Sequence, residues 1–356
     1  MNFKRVFLFS ILIFFTSVIF SCANIDEFSS ETDFADRVKS LSSFDETENL
    51  ESLKITSWNL LTFFDSVTDG CEYKEFSKNT HWNKEMYTKR LKNLVEVLKA
   101  VDSDVYVMQE IENEGILRDI SNFLAGEWNF KKHYKHGCFA KDEGSAIGCA
   151  VLSRYPLKNM TVHSLDFSQS QSKVPSMRPI LQVSVEKNGR ELVLLVNHWK
   201  SMSGGEESTE KWRNAQEMLL SRRIQILENQ KKAYVALGDF NRDILKFKAG
   251  ERCENGQKIL LRGGRNFEFN DEFVEVLSPW FDQENSLQEP GSYNFMNEWS
   301  RIDNMFFGGP SGYKNFTVET DGKWFGKKNN KPYEFSFWDT NVGYSDHLPI
   351  SALAIF

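Results

Sequence analysis

The pattern of hydrophobic and polar positions divides the chain into short strands and two long amphipathic helices. Residues 53–59 (LKITSWN) alternate and are rich in β-forming side chains, so they predict a strand. Residues 84–100 follow a helical period that places Tyr87 and Leu94 on one apolar face. Residues 208–230 predict a second helix of the same kind.

Seven further apolar runs predict strands, over residues 104–108, 147–152, 180–185, 191–196, 233–237, 301–307 and 348–355. Strands alternate with helices, but hairpin-like turns also occur. This mixture favours an α/β sandwich with mixed sheets in its interior over a purely parallel, doubly wound sheet. The segment 242–290 is irregular, and the sequence does not place its elements.

Polar side chains recur where the predicted strands end. They are Asn59, Glu110, His198, Asp239, Asn241, Asp303, Asp346 and His347. Strand ends in layered α/β proteins converge on a cleft at one sheet edge, so we expect these side chains to meet. Carboxylate and amide oxygens suit Mg²⁺ or Mn²⁺, and the histidines suit proton transfer. No GxSxG or P-loop motif supports serine catalysis or nucleotide triphosphate hydrolysis.

The N-terminus has the features of an export signal. Lys4 and Arg5 precede an uncharged apolar run over residues 6–20, which is short for a hydrocarbon layer of ~30 Å. The run ends in IFSC, which resembles a bacterial lipobox and implies that Cys22 carries lipid. We therefore predict a signal peptide over 1–21. The alternatives are a short transmembrane anchor, or an ordinary cysteine after a conventional cleavage site.

Residues 22–50 predict an acidic tether between the lipid and the folded domain, because they are rich in Ser and acids and weakly periodic. The full chain has a net charge of −7. Since the signal contributes +2 and the tether −6, residues 51–356, the predicted catalytic domain, have about −3. This charge argues against broad neutralisation of duplex DNA phosphates.

Four cysteines remain beyond the predicted lipid site, namely Cys71, Cys138, Cys149 and Cys253. An exported protein could form one disulfide among them, and the sequence selects neither its presence nor its partners. No CxxC spacing occurs, so a structural zinc site is not expected.

Six short blocks appear in order along the chain: SWNL (57–60), QE (109–110), NHWKS (197–201), GDFN (238–241), RID (301–303) and SDHLP (345–349). Together they resemble the endonuclease/exonuclease/phosphatase superfamily, whose fold is DNase I-like, over about residues 51–356. The resemblance implies a four-layered α/β sandwich of two mixed β-sheets face to face, with outer helices.

The resemblance also implies roles for the matching residues at the metal. Glu110 would be a ligand of Mg²⁺ or Mn²⁺, with Asn59 beside it and Asp346 completing the carboxylate set. Asp303 would hydrogen-bond to His347 and fix its tautomer. His347 would then act as general base or stabilise the phosphorane.

The remaining matches would act on water and phosphate. Asp239 would position or deprotonate the attacking water, and Asn241 would orient it and a phosphate oxygen. His198 would donate to a non-bridging oxygen, while Arg178 and Lys200 would add positive charge. Whether Asp239 or His347 removes the proton of the water stays open.

These features predict an exported, membrane-anchored lipoprotein of the bacterial cell envelope that hydrolyses phosphoesters with a divalent metal. We favour a nuclease, because NHWKS followed by Arg213 and Gln216 resembles the secreted nuclease branch. The alternatives are a phosphatase or a phospholipase-type phosphodiesterase acting on inositol phosphate or sphingomyelin, or an inactive surface-binding lipoprotein. We expect nucleic acid as substrate, a monomer, and no protein partner.

Overall fold

The computed structural model describes residues 50–77, 81–126, 132–165, 174–253, 256–265, 268–282 and 286–356. The predicted signal peptide, the lipidation site Cys22 and all of the predicted tether except Leu50 lie outside the described residues. Within the described ranges, no helix combines the length and hydrophobicity needed to span a bilayer.

Eighteen strands are described in the chain. In chain order they are β1 Ser52–Phe63, β2 Val105–Ile111, β3 His136–Ala140, β4 Gly148–Ser153, β5 Leu157–His163, β6 Ile180–Lys187, β7 Arg190–His198, β8 Tyr234–Asp239, β9 Lys248–Cys253, β10 Gly256–Arg265, β11 Glu268–Ser278, β12 Tyr293–Phe295, β13 Glu298–Ser300, β14 Asp303–Gly308, β15 Gly312–Val318, β16 Phe325–Gly326, β17 Lys331–Pro332 and β18 Ile350–Ile355. The helices are α1 Lys74–Ser77, α2 Lys84–Val101, α3 Glu114–Ala125 and α4 Glu206–Asn229, with a 3₁₀ turn at Ile244–Lys246.

Two large mixed sheets form the interior of the protein. The six-stranded sheet has the order β15-β18-β1-β2-β4-β3, and the eight-stranded sheet has the order β5-β6-β7-β8-β14-β11-β10-β9. Each contains one parallel pair, β1 with β2 and β7 with β8, among antiparallel neighbours. β12 pairs with β13, and β16 pairs with β17, in two small separate hairpins.

The sheets pack face to face through their central strands. β1 and β2 contact β8, and β7 contacts β2 and β4. α2 and α3 contact each other and α3 contacts β3 and β4, whereas α4 contacts β10 and β11 of the other sheet. This arrangement confirms the predicted four-layered sandwich.

The central strands have the composition that burial on both faces requires. All six residues of β8 (YVALGD) are buried, so the strand is an apolar run rather than an alternating one. Two helices begin at asparagine caps. Asn83 accepts from Met86 N, and Asn113 accepts from Gly115 N and Ile116 N.

The structure describes two features that the sequence left open. In the segment 242–290, whose elements the sequence did not place, β9, β10 and β11 form an antiparallel extension of the larger sheet. The structure places none of Cys71, Cys138, Cys149 and Cys253 in a disulfide.

Candidate active site

Both sheets deliver polar residues to the same edge of the sandwich. In the smaller sheet, Asn59 pairs with Gln109 in parallel register, so Glu110 follows directly beside it. In the larger sheet, His198 and Asp239 are the last residues of their strands and lie opposite each other. Because the two sheets are stacked, these strand ends face one another across the interior.

A hydrogen-bonded hub joins the two sheets at this edge. The amide Nδ2 of Asn59 donates to Glu110 Oε1 (3.2 Å) and to Asp239 Oδ2 (3.0 Å). Asn59 and Asp239 are each 2% exposed. One amide thus fixes the distance between a carboxylate of one sheet and a carboxylate of the other.

Asn241 and His198 complete this hub. Asn241 Nδ2 also donates to Asp239 Oδ2 (3.0 Å), and its backbone N–H donates to Asp239 Oδ1 (2.7 Å). His198 Nε2 lies 3.6 Å from Glu110 Oε1 and 3.7 Å from Asp239 Oδ2. Burial lowers the pKa of His198, and Arg178 adds to this, so the imidazole is neutral near pH 7.

The GDFN turn that carries Asp239 requires its glycine. Gly238 has φ +134°, and a Cβ there would lie 1.9 Å from Asn197 O on the neighbouring strand. Only glycine allows this close approach of two backbones. The approach brings His198 and Asp239 side by side.

Asp303 and His347 form a buried pair beside the hub. Asp303 lies opposite Asp239 on the neighbouring strand, and its Oδ2 is 2.7 Å from His347 Nδ1. Burial by itself would lower the pKa of His347, but the charges of Asp303 and Asp346 raise it to about 10. The imidazole is therefore protonated at neutral pH, and its Nε2 is available to donate.

Asp346 lies next to this imidazole and belongs to the same charge cluster. Its Oδ1 is 4.0 Å from His347 Nε2 and accepts from Ser345 Oγ (3.3 Å). Burial raises the pKa of Asp346 to about 6, and the nearby Glu110 contributes to this. Burial likewise raises the pKa of Asp239. The donor set of carboxylate and amide oxygens fits Mg²⁺ or Mn²⁺.

Arg178 and Lys200 stand on the His198 side of the cleft. Arg178 Nη1 donates to Trp199 O (3.4 Å). The side chain of Gln216 links the two residues, since it accepts from Lys200 N (2.7 Å) and donates to Arg178 O (3.3 Å). Both basic side chains lower the pKa of His198, which places positive charge at this end of the site. The structure therefore brings together every predicted site residue that it describes.

The sequence interpretation missed the residues that shape the turn beneath Glu110. Leu61 and Thr62 have positive φ, and Thr62 N donates to Glu110 Oε2 (2.7 Å). The buried Arg90 donates to the carbonyls of Leu60 (2.9 Å), Leu61 and Thr62 (2.8 Å). A signal was present, because Arg90 lies at the helical spacing of Tyr87 and Leu94 on the buried face of α2.

Tyr293 was also missed, and no sequence pattern indicated it. Its ring lies 4.7 Å from the His347 ring, measured between centroids, and its backbone forms an isolated bridge to His347. Nearby, a cleft of about 500 Å³ reaches Asp346 and is lined by Phe295, Met296 and Tyr333, among others. Phe295 and Met296 are 58% and 81% exposed, so apolar surface borders the entrance.

Comparison with known proteins places this geometry in a family. A profile described as Endonuclease/Exonuclease/phosphatase family matches residues 54–353. No curated protein sequence matches the chain.

Among solved structures, truncated Caenorhabditis elegans TDP2 shares 16% identity at TM-score 0.53, over 86% of this chain and 97% of its own. ANGEL2, a 2′,3′-cyclic phosphatase, shares 14% identity at TM-score 0.53, over 86% and 96%. D. rerio TDP2 complexed with single strand DNA product shares 16% identity at TM-score 0.50, over 85% and 99%. These likenesses show a common fold.

The family profile spans most of the chain, and the sandwich and the converging strand ends agree with it. The chain belongs to the Endonuclease/Exonuclease/phosphatase family, whose members are hydrolases that act on phosphoesters.

Proposed function

We propose that this protein is an exported nuclease that hydrolyses nucleic-acid phosphodiesters with Mg²⁺ or Mn²⁺ by in-line attack of water. The observation that carries the proposal is the hub at the sheet edge, in which Asn59 bridges Glu110 and Asp239. The Asp303–His347 pair stands beside it. A carboxylate for the metal, a carboxylate for water and a protonated imidazole are thus held in one cleft.

Glu110 and Asp346 would hold the metal, with Asn59 beside them. When bound, the ion neutralises negative charge on the phosphate. Glu110 is suited to this because both of its oxygens are oriented by hydrogen bonds, from Asn59 Nδ2 and Thr62 N. The Glu110 carboxylate is also partly exposed, so it faces the cleft rather than the core.

The pKa shifts support one division of the proton-transfer roles. Asp239, whose pKa is raised by burial, takes the proton of the attacking water, while Asn241 orients that water. His347 is protonated and donates from Nε2 to a phosphate oxygen. His198, Arg178 and Lys200 bind the non-bridging oxygens on the opposite side.

The cleft beside Asp346 favours a nucleic-acid substrate. Phe295 and Met296 at its entrance offer exposed apolar surface against which unpaired bases can stack. D. rerio TDP2 has been solved with single strand DNA product, and ANGEL2 is a 2′,3′-cyclic phosphatase. The acidic turn at 204–207 and a domain charge of about −3 favour single strands or ends over long duplexes.

The same exposed apolar surface supports a second candidate, a phospholipase-type phosphodiesterase. A lipid substrate would place acyl chains against Phe295 and Met296, and the predicted lipid at Cys22 would hold the protein on a membrane. Export and lipid anchoring are part of the proposal and depend on residues 1–22.

An assay panel tests the proposal. The full-length protein is incubated with Mg²⁺, Mn²⁺ or EDTA on plasmid DNA, single-stranded DNA, RNA, sphingomyelin vesicles and inositol phosphates, beside His347→Ala as the control. Cleavage of DNA or RNA that requires the metal and His347 supports the nuclease. Release of lipid or inositol phosphate alone supports the second candidate. Inactivity on every substrate would contradict both and favour a binding protein.

A further inference from the structure

A second acidic cluster lies outside the hub, where the loop that follows β1 meets Glu112, the residue after β2. The segment Asp65–Tyr73, between β1 and helix α1, is called the 65–73 loop. One oxygen each of Asp69, Glu72 and Glu112 lies within 4.8 Å of the other two. Asp69 is exposed and Glu72 half-buried, whereas Glu112 is only 1% exposed. None of these carboxylates contacts the Asn59–Glu110–Asp239 hub.

Glu112 has a buried oxygen that no group in the described ranges satisfies. Its Oε2 accepts from Asp65 N (2.6 Å), but its Oε1 has no hydrogen-bond partner there. An unpartnered carboxylate oxygen in the interior is costly unless a donor or a cation meets it. The neighbours of this carboxylate are Asp69 and Glu72, which offer oxygens and not donors.

No basic side chain neutralises the cluster among the described residues. Glu72 Oε1 and Oε2 accept from Asp69 N (2.6 Å) and Gly70 N (2.9 Å), and Asp69 Oδ1 accepts from Cys71 N (2.7 Å). These bonds orient the carboxylates without cancelling their charge. Three carboxylates so close together repel one another, and a divalent cation removes that repulsion.

We propose that Asp69, Glu72 and Glu112 bind a calcium ion that is separate from the catalytic metal. The ligands are all oxygens, which excludes the thiolate and imidazole sets of zinc. Calcium binds oxygen at about 2.3–2.6 Å, so ligands on opposite sides of the ion stand up to about 5 Å apart. The observed spacing falls within this limit. An irregular loop also suits the flexible coordination of calcium better than the strict octahedron of magnesium.

The ion would connect the 65–73 loop to the catalytic cleft. At one end of the loop, Asp65 accepts from Trp82 Nε1 through its carbonyl (2.7 Å) and from Asn113 Nδ2 through its carboxylate (2.9 Å). At the other end, the charge of Arg178 acts on the Tyr73 hydroxyl and opposes the rise in its pKa that burial causes. Calcium would therefore hold the end of the loop, with Tyr73, beside Arg178 at the phosphate-binding side.

Terbium luminescence and calorimetry with Ca²⁺ test this site in the full-length protein. The background variant is Glu110→Gln with Asp346→Asn, which removes carboxylates of the catalytic metal site. Trp82 serves as the sensitiser, because its indole contacts the 65–73 loop. We expect one site that binds Tb³⁺ and is competed by Ca²⁺.

Substitutions within the cluster distinguish Ca²⁺ binding by specific ligands from attraction of Ca²⁺ to general surface charge. We expect Asp69→Asn and Glu112→Gln to weaken Ca²⁺ binding at least about tenfold, because calcium affinity follows the number of charged ligands. Glu75→Gln, an exposed acid just beyond the loop, removes the same charge and should leave binding unchanged. Asp69 is exposed, so its substitution does not threaten the fold.

Two results would overturn the calcium site. One is the absence of Ca²⁺ binding in the background variant, with a normal thermal unfolding transition showing that the chain is folded. The other is an equal loss of binding in Glu75→Gln and Asp69→Asn, which would reduce the effect to net charge. Neither result bears on hydrolysis at Glu110 and Asp239, so the proposed nuclease activity is tested independently of the calcium site.

Discussion

The charge on the His347 imidazole decides what this residue can contribute. Asp303 Oδ2 lies 2.7 Å from Nδ1, and the neighbouring carboxylates outweigh the effect of burial, so the pKa of His347 rises to about 10. A histidine with this pKa cannot accept a proton from water at neutral pH, but it can donate to a phosphate oxygen. We therefore propose Asp239 as the base, a choice that the sequence left open.

Substitution Asp303→Asn tests this pairing. We expect the pKa of His347 to fall from about 10 towards its ordinary value of 6.5, because the largest favourable charge is lost. The measurement is an NMR pH titration of the imidazole in the metal-free protein.

The raised pKa of His347 also predicts how the free energy of unfolding depends on pH. Because the folded pKa lies above the unfolded value, protonated His347 stabilises the fold fully below about pH 6.5 and loses this contribution as the pH rises through about 10. The loss of unfolding free energy in Asp303→Asn should therefore be largest at acidic pH. An unchanged His347 pKa in the variant would refute the assignment.

At the scale of elements, strands were predicted better than the pairings between them. The strands that carry Asn59, His198 and Asp239 follow from local alternating or apolar runs, and the structure has strands there, although β1 continues past Asn59 to Phe63. β10 and β11 were not placed because Gly263 and Gly264 interrupt the pattern, and because β11 joins the sheet through Leu277 opposite Phe307, a partner on a later strand. Local periodicity carries no information on such a partner.

Charged residues on buried faces were the other source of error. The sequence analysis did not single out Arg90, yet it is 1% exposed and donates to the carbonyls of the 60–62 turn. Its guanidinium also lies 3.9 Å from the centroid of the Phe335 ring. The meeting of α2 with that turn is a tertiary contact, which the helical period alone does not specify.

The Arg90 contact predicts an indirect effect on the metal. In Arg90→Met the three carbonyls lose their donor, the turn relaxes, and Thr62 N no longer holds Glu110. We expect the Mg²⁺ concentration for half-maximal activity to rise about tenfold or more, as for other residues that support a ligand.

The control is Lys92→Met, which removes a charge from the exposed face of the same helix. It should leave the Mg²⁺ dependence unchanged. A parallel loss of activity at every Mg²⁺ concentration in Arg90→Met would instead indicate a general loss of folded protein.

A buried ion pair joins helix α4 to the GDFN turn. It is formed by Arg242, the residue after Asn241, and by Glu217 of the helix. Arg242 Nη1 donates to Glu217 Oε2 (2.5 Å), and Glu217 Oε1 accepts from Arg262 N (2.9 Å). In Glu217→Ala the guanidinium of Arg242 loses its buried partner, so we expect the free energy of unfolding to fall by about 3–5 kcal/mol.

Urea denaturation measures this loss, with Glu210→Ala as the matched variant. The Glu210 side chain also pairs with Arg242 but is 37% exposed, so its removal should cost less. Equal losses in the two variants would show that burial of the ion pair is not what matters.

At the scale of the whole molecule, the candidate site depends on the packing of the two sheets against each other. Glu110 comes from the smaller sheet and Asp239 from the larger, and the side chain of Asn59 spans the space between them. Neither sheet alone contains the hub. A change that shifts one sheet relative to the other should therefore lower the rate of catalysis even when each sheet remains folded.

The place of the protein in the cell depends on its N-terminal end, and stays a prediction. Cys22→Ser removes the thiol that would carry the lipid, so we expect the protein to leave the membrane fraction. Fractionation of the expressing bacteria, with detection of the protein, measures this. Retention of Cys22→Ser in the membrane fraction would favour a transmembrane anchor over a lipid.

The central claim is that one metal-dependent cleft, spanning both sheets, hydrolyses phosphodiesters. It is tested most directly by the hydrolysis rate of single-stranded nucleic acid as a function of Mg²⁺ concentration, for the full-length protein and for Asp239→Asn. We predict a rate that rises to saturation with Mg²⁺, vanishes in EDTA, and falls at least about 10²-fold in the variant. Hydrolysis that ignores Mg²⁺, or that proceeds equally fast in the folded variant, would contradict the claim.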